Sequence, residues 1–181
     1  MKSGETLGKV SAEAANATGI TESALIIAGA HDQSYCAVSA GIMKPGGVAM
    51  DSMGTTENLL CVCEEPICCD EAAQCNIPCC IYSKNDLYAC LSFLTSSGSI
   101  LKWYMDIVAR DGEPLCQYNW MAQERKRPSS VMLLPYFSGS GTSYMNNMAT
   151  GVLSGLTLGI DRVYIYLAIF EGTVLRQACA A

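Results

Sequence analysis

Histidine occurs once in the 181 residues, at His31. It lies far in sequence from the cysteines between residues 61 and 80 and leaves them no nearby imidazole for a mixed zinc site. Charge is also scarce, at 15%, and it leans acidic: 17 Asp and Glu against 11 Lys and Arg give a formal net charge of −6. Such a balance argues against nucleic acid or an anionic membrane surface as the main partner, because both are polyanions. A nucleotide stays compatible, since local backbone dipoles act at close quarters whatever the global charge. Long apolar runs are missing too. The strongest, residues 163 to 170, falls far short of the roughly 20 residues that span a bilayer. No apolar segment follows Met1-Lys2-Ser3-Gly4-Glu5, so no secretory signal is expected. The expectation is a soluble, cytoplasmic chain.

What is present is apolar. Half of the residues are hydrophobic, a buried-sheet composition, and the length suits one domain with a sizeable core. Cysteine is abundant, with 11 in all. Cys61, Cys63, Cys68, Cys69, Cys75, Cys79 and Cys80 crowd one stretch. A disulfide scaffold would need a secretory context and usually a shorter chain. Cys75-x-x-x-Cys79 has the spacing of one zinc hook, but the adjacent pairs Cys68-Cys69 and Cys79-Cys80 chelate poorly. The expectation is reduced thiols acting as small apolar side chains, with no metal site.

The stretch from Val48 to Leu60 organises the reading. Val48, Met50 and Ser52 alternate with Ala49, Asp51 and Met53, the period of a pleated strand. Gly54 then permits a reversal through backbone angles that other residues avoid, and a second strand follows. Thr55 and Thr56 bring two hydroxyls able to donate to phosphate oxygens. A glycine turn with hydroxyls and no lysine suits the terminal phosphates of a magnesium nucleotide. On these residues alone, an ordinary hairpin whose threonines favour strands is the stronger reading, because short glycine-turn matches are common by chance. Upstream, the apolar run Ile26-Ile27-Ala28 breaks at Gly29 and delivers His31 and Asp32.

Along the chain, residues 11 to 19 predict a short helix capped by Ser11 and ended by Gly19. A strand is expected over residues 24 to 28, and then a helix capped by Asp32. Residues 64 to 86 read as an irregular, cysteine-bearing stretch, and residues 87 to 94 as a strand. The polar loop Thr95-Ser96-Ser97-Gly98-Ser99 opens a helix in which Ile100, Trp103, Tyr104, Ile107 and Val108 recur at helical spacing. Residues 111 to 130, with the basic run Arg125-Lys126-Arg127-Pro128, read as a solvated surface connection. A buried strand over 131 to 137 and a short one over 151 to 156 precede a final helix capped by Asp161. Ser138-Gly139-Ser140-Gly141-Thr142 suggests a dinucleotide fingerprint, but Tyr144 stands at the third glycine, and that reading fails. A triad of His31 with Ser34 or Cys36 fails as well, because no oxyanion-hole motif accompanies it.

The order strand, Gly29, Asp32, helix, then strand, Gly54-Thr55-Thr56, strand resembles the FGGY family of carbohydrate kinases. The run Gly151-x-Leu153-x-Gly155-Leu156, followed by Ile165-x-x-Ala168-x-Phe170-Glu171-Gly172, is similar to that family's C-terminal signature. Tyr164 departs from it, standing where the family usually has an acidic or amide residue. Leu134 to Gly139, Ser97 to Trp103, and Ser3-Gly4-Glu5 to Thr18-Gly19 are also similar to stretches of these proteins, so the resemblance covers the whole chain.

The resemblance implies an α/β, actin-like or ribonuclease-H-like ATPase domain, incomplete in this chain. Residues 1–29 would be the tail of an N-terminal sugar-binding domain with its crossover. Residues 30–181 would be the first part of the C-terminal ATP-binding domain. It implies ATP and Mg2+ as cofactors and a sugar or polyol as substrate. Asp32 would be the general base. Gly54, Thr55 and Thr56 would bind the β- and γ-phosphates, with Ser97 and Gly98 as weaker nucleotide contacts. Family members are much longer, so this chain is expected to be a fragment, inactive alone, that associates with itself or with missing kinase segments. The alternatives are a non-catalytic kinase remnant serving as an interaction piece, or a small cysteine-rich metal-binding module.

Overall fold

The computed structural model describes residues 2–84, 86–125 and 127–179; Lys126 of the basic run lies outside them. The fold is mixed α/β, as expected. A short antiparallel pair comes first, formed by β1 (Thr6–Lys9) and β2 (Leu25–Ile27), with α1 (Ala12–Thr18) between them. Ser11 caps α1 by accepting from the Ala14 amide, and Gly19 ends it. Next come α2 (Asp32–Ser39), β3 (Ala49–Met53), β4 (Glu57–Cys63), α3 (Asp70–Gln74), β5 (Cys79–Ile81) and β6 (Tyr88–Leu94). The four later strands form a sheet in the order β3-β4-β6-β5. Then follow α4 (Gly98–Ile107), α5 (Leu115–Gln123), β7 (Met132–Leu134), β8 (Val152–Ser154) and α6 (Arg162–Ala178), with β7 and β8 paired antiparallel. Among the described residues, no helix is long and apolar enough to cross a membrane.

The chain forms two compact units. One comprises Met1–Met50, Leu60–Ile67 and Cys79–Cys90; the other comprises Asp51–Leu59, Cys68–Pro78 and Leu91–Ala181. In the first, Ala37, Ile42, Leu60, Val62, Tyr82 and Ala89 are buried. The Tyr82 hydroxyl donates to the Ile42 carbonyl at 2.7 Å, so the ring goes inside without leaving its polar tip unmet. The pair β1–β2 has no buried residue, and Leu25, Ile26 and Ile27 are exposed.

The second unit holds the larger core, built from α4, α5, α6 and β7. Tyr104, Tyr118 and Tyr166 pack ring against ring, with centroids 5.3 to 5.6 Å apart. Their hydroxyls all find partners at the edge of the cluster. Tyr104 donates to the Arg162 carbonyl at 3.0 Å, Tyr118 to Glu113, and Tyr166 to Asn119. Arg162 grips both Glu113 oxygens at 3.0 Å and the Tyr118 hydroxyl at 2.9 Å. Helix α6 begins at Asp161, whose Oδ1 accepts from the Val163 amide at 2.9 Å. It lies so close to β7 that a side chain at Gly172 would strike the Leu133 carbonyl.

Four expectations need correction. Residues 64 to 86 contain α3 and β5, and so are not irregular throughout. The presumed solvated connection contains α5, which buries Tyr118 and Ala122; these are four apart and share a face, a periodicity masked by polar neighbours. The strand expected over 131 to 137 is only β7, exposing Met132 while burying Leu133. The cap of α2 is His31, and Asp32 is the first helical residue.

Helix α4 supplies a direct check on the core. Ile100 is fully buried and Ile107 is 70% exposed. Ile100→Ala is expected to cost about 2–5 kcal/mol and Ile107→Ala less than about 0.5 kcal/mol, read from urea unfolding under reducing conditions. Equal losses at the two positions would contradict this packing.

Candidate functional site

The turn between β3 and β4 is Gly54-Thr55-Thr56, and all three residues are exposed. The Gly54 amide donates to the Thr56 carbonyl at 2.8 Å, closing the turn on itself. Gly54 does not use a left-handed backbone angle, and a Cβ built there would meet only the Thr56 oxygen, at 3.8 Å. The expectation that the reversal needs glycine's special angles is therefore corrected. What Gly54 leaves is open space beside an exposed turn.

The close approach is at Gly98 instead. The Ser97 amide donates to the Thr55 carbonyl at 3.0 Å and the Gly98 amide to the Gly54 carbonyl at 2.9 Å. Ser99 adds its amide at 3.4 Å and its hydroxyl at 3.1 Å, both to the Thr55 carbonyl. A Cβ at Gly98 would stand 2.5 Å from the Gly54 oxygen, too close for any side chain. The start of α4 thus clasps the turn by its carbonyls. Among the described residues, neither threonine hydroxyl has a protein partner, so both remain available to an incoming acceptor.

Behind the turn sits a carboxylate that the sequence reading missed. Glu57 is 2% exposed, and its Oε2 accepts from the Ser97 hydroxyl at 2.8 Å. Burial pushes its carboxyl above the ordinary range; the Ser97 hydrogen bond opposes that shift and the nearby Asp51 charge adds to it. Desolvation also raises Asp51, on β3. The available signal was one acid placed directly between the Gly-Thr-Thr turn and the apolar run of β4.

Asp32 lies in the first unit, at the start of α2. Its Oδ1 accepts from the Gln33 amide at 2.7 Å and lies 2.9 Å from His31 Nδ1. The side chain is 81% exposed, so it is a carboxylate open to solvent at the positive end of a helix. Gly54, Thr55, Thr56, Ser97 and Gly98 lie together in the second unit.

The run from Ser138 to Thr142 is used in packing. Thr142 donates its amide to the Phe93 carbonyl and accepts from the Phe93 amide through its hydroxyl, and the Gly139 carbonyl accepts from Thr95. At the position that departs from the signature, the Tyr164 ring lies 5.8 Å from the Arg125 guanidinium, a cation–π contact that an acid or amide would not make.

Residues 49–178 match the family model described as the C-terminal domain of the FGGY family of carbohydrate kinases. A xyloylose kinase from Brucella ovis is similar in structure, with a TM-score of 0.75 and 28% identity over 100% of this chain and 38% of its own. A xylulose kinase from Rhodospirillum rubrum shares the fold at a TM-score of 0.79 and 24% identity, over 99% of this chain and 36% of its own. A glycerol kinase from Plasmodium falciparum, solved with ADP, shares it at 0.73 and 21%, over 97% and 34%. The chain thus spans between about a third and two fifths of the length of these kinases. No curated protein matches it.

Two measurements test the clasp. Gly98→Ala must push a methyl into the Gly54 carbonyl and is expected to cost about 1–3 kcal/mol, while Gly54→Ala stays within about 1 kcal/mol of the parent. Denaturant midpoints of the two variants decide it, and the reverse order would refute the clasp. Glu57 tests the electrostatics. Because its folded carboxyl binds a proton more tightly than the unfolded one, stability falls as pH rises through and above the ordinary value of 4.5. Glu57→Gln is expected to flatten that fall between pH 4 and pH 7, as read from unfolding free energies at each pH.

Proposed function

Because the chain belongs to the FGGY family of carbohydrate kinases, we propose that it supplies phosphate-binding and base groups for ATP-dependent phosphorylation of a sugar or polyol hydroxyl. The observation that carries the reading is the clasped turn. Gly54, Thr55 and Thr56 stand exposed, held from behind by their own carbonyls, and offer two threonine hydroxyls and open space to the β- and γ-phosphates of ATP. Mg2+ bound with the nucleotide at this turn would supply neutralisation of phosphate charge. The hydroxyl-rich, lysine-free turn fits such a magnesium-bound phosphate. Ser97 and Gly98 are lesser nucleotide contacts, since their amides are engaged by the turn.

Asp32 is the general base. As the substrate oxygen bonds to the γ-phosphorus, the bond from that phosphorus to the β–γ bridging oxygen breaks and ADP leaves. The hydroxyl proton passes to the Asp32 carboxylate. Its exposure leaves it reachable by a substrate.

Further parts of the proposal concern the whole protein. Residues 1–29 would close a sugar-binding domain, and residues 30–181 would open the ATP-binding domain. The 181-residue chain would turn over no sugar by itself and would work with other kinase segments or with further copies of itself, in the cytoplasm. The coverage of only 34–38% of the solved kinases supports this.

The test is a chimera in which this chain replaces the matching segment of the Brucella ovis kinase. Asp32→Asn is expected to lower kcat by roughly 10²–10⁴-fold, the range of general-base catalysis, with ATP affinity within a few-fold of the parent. Thr55→Val and Thr56→Val are expected to weaken ATP binding while the base stays intact. Turnover of Asp32→Asn within a few-fold of the parent would remove Asp32 from the chemistry.

A further inference from the structure

All eleven cysteines are free, and the sheet gathers three of them. Cys90 lies on β6, the strand between β4 and β5. Its register partner on β5 is Cys79, and Cys63 lies on the flanking β4. The three Sγ atoms all lie within 4.8 Å of one another, and each residue is half-buried. The sequence pattern pointed elsewhere, to Cys75 with Cys79, and never to Cys90.

We propose that Cys63, Cys79 and Cys90 form a three-thiolate site for a soft cation, with monovalent copper as its preferred occupant. A metal about 2.3 Å from each of three sulfurs in a plane sets them about 4 Å apart, so small side-chain rotations from the observed arrangement complete the site. Among the described residues, no carboxylate or imidazole joins the group. An all-sulfur, three-donor set favours monovalent copper, which accepts trigonal thiolates, over zinc, which seeks a fourth ligand. Magnesium and calcium need oxygen. The neighbouring thiols Cys80 and Cys61 fall outside the group whose sulfurs all lie within 4.8 Å of one another, and Cys61 is exposed.

The metal-free state fits the same picture. Burial pushes the Cys63 and Cys90 thiols up, and for Cys90 the neighbouring sulfurs add to the effect. Those two thiols therefore stay protonated and uncharged without a cation. On binding, three S–H protons pass to the buffer as three metal–sulfur bonds form, so affinity rises with pH. No electron is transferred, because copper arrives already monovalent.

The experiment uses the full chain, purified anaerobically with a phosphine reductant and titrated with Cu+ against a chromophoric Cu+ chelator, with Zn2+ in parallel. The expected result is one Cu+ per chain held in the competition, with X-ray absorption showing three sulfur neighbours and Zn2+ lost on dialysis. Cys63→Ser, Cys79→Ser and Cys90→Ser should each weaken Cu+ binding roughly 100-fold or more, while Cys61→Ser and Cys116→Ser leave it within a few-fold. Should a serine variant unfold, alkylation of the parent decides: bound Cu+ must protect Cys63, Cys79 and Cys90 together and leave Cys61 reactive. The proposal is overturned by a parent that holds no Cu+, by Zn2+ held in its place, by Cu+ binding that survives the three serine changes, or by a Cys79–Cys90 disulfide under these conditions.

Discussion

Two backbone carbonyls, those of Gly54 and Thr55, set the terms for the candidate phosphate site. A turn that presents hydroxyls to a ligand must hold its shape without using those hydroxyls. Here the amides of Ser97, Gly98 and Ser99 take up the carbonyls from behind. The contact works only because residue 98 has no side chain, since a methyl there would overlap the Gly54 oxygen. Glu57 reinforces the arrangement from inside through Ser97, at the cost of a buried carboxyl whose proton is bound more tightly than usual.

The clasp is also anchored at depth. Its upper part is the first turn of α4, and the same helix inserts Ile100 and Tyr104 into the core with α5 and α6. The tyrosine cluster keeps its rings inside and its hydroxyls at the rim, where Arg162, Glu113 and Asn119 meet them. A displacement of α4 would therefore disturb ring packing and several hydrogen bonds at once. The turn takes its stiffness from that helix and not from its own backbone angles.

Much of this was legible in the chain. The caps at Ser11 and Asp161, the hairpin around Gly54, the helix after Ser97 and the signature from Gly151 to Gly172 are local patterns, and local patterns survive translation into structure. What was not legible is non-local. That Gly98 and not Gly54 is the sterically demanding glycine depends on a carbonyl from another part of the chain. Glu57 reads as a polar strand residue until Ser97 closes over it. Helix α5 hides its buried face among Gln117, Asn119 and Gln123. Cys90 lies outside the cysteine-rich stretch and joins Cys63 and Cys79 only through strand pairing. The helix cap assigned to Asp32 belongs to His31.

The distance along the chain across the clasp has a kinetic meaning. Ser99 and Thr55 are 44 residues apart, and Ser97 and Glu57 are 40. The hairpin β3–β4 needs only its immediate neighbours, whereas the clasp must close a long loop whose entropy is lost before any contact repays it. Strand, turn and threonines can therefore exist in a nascent chain with the turn still unsupported. Rigidity at the exposed edge of the turn arrives only when β6 and α4 have been made and docked, so the order of synthesis places the hairpin well ahead of its own support.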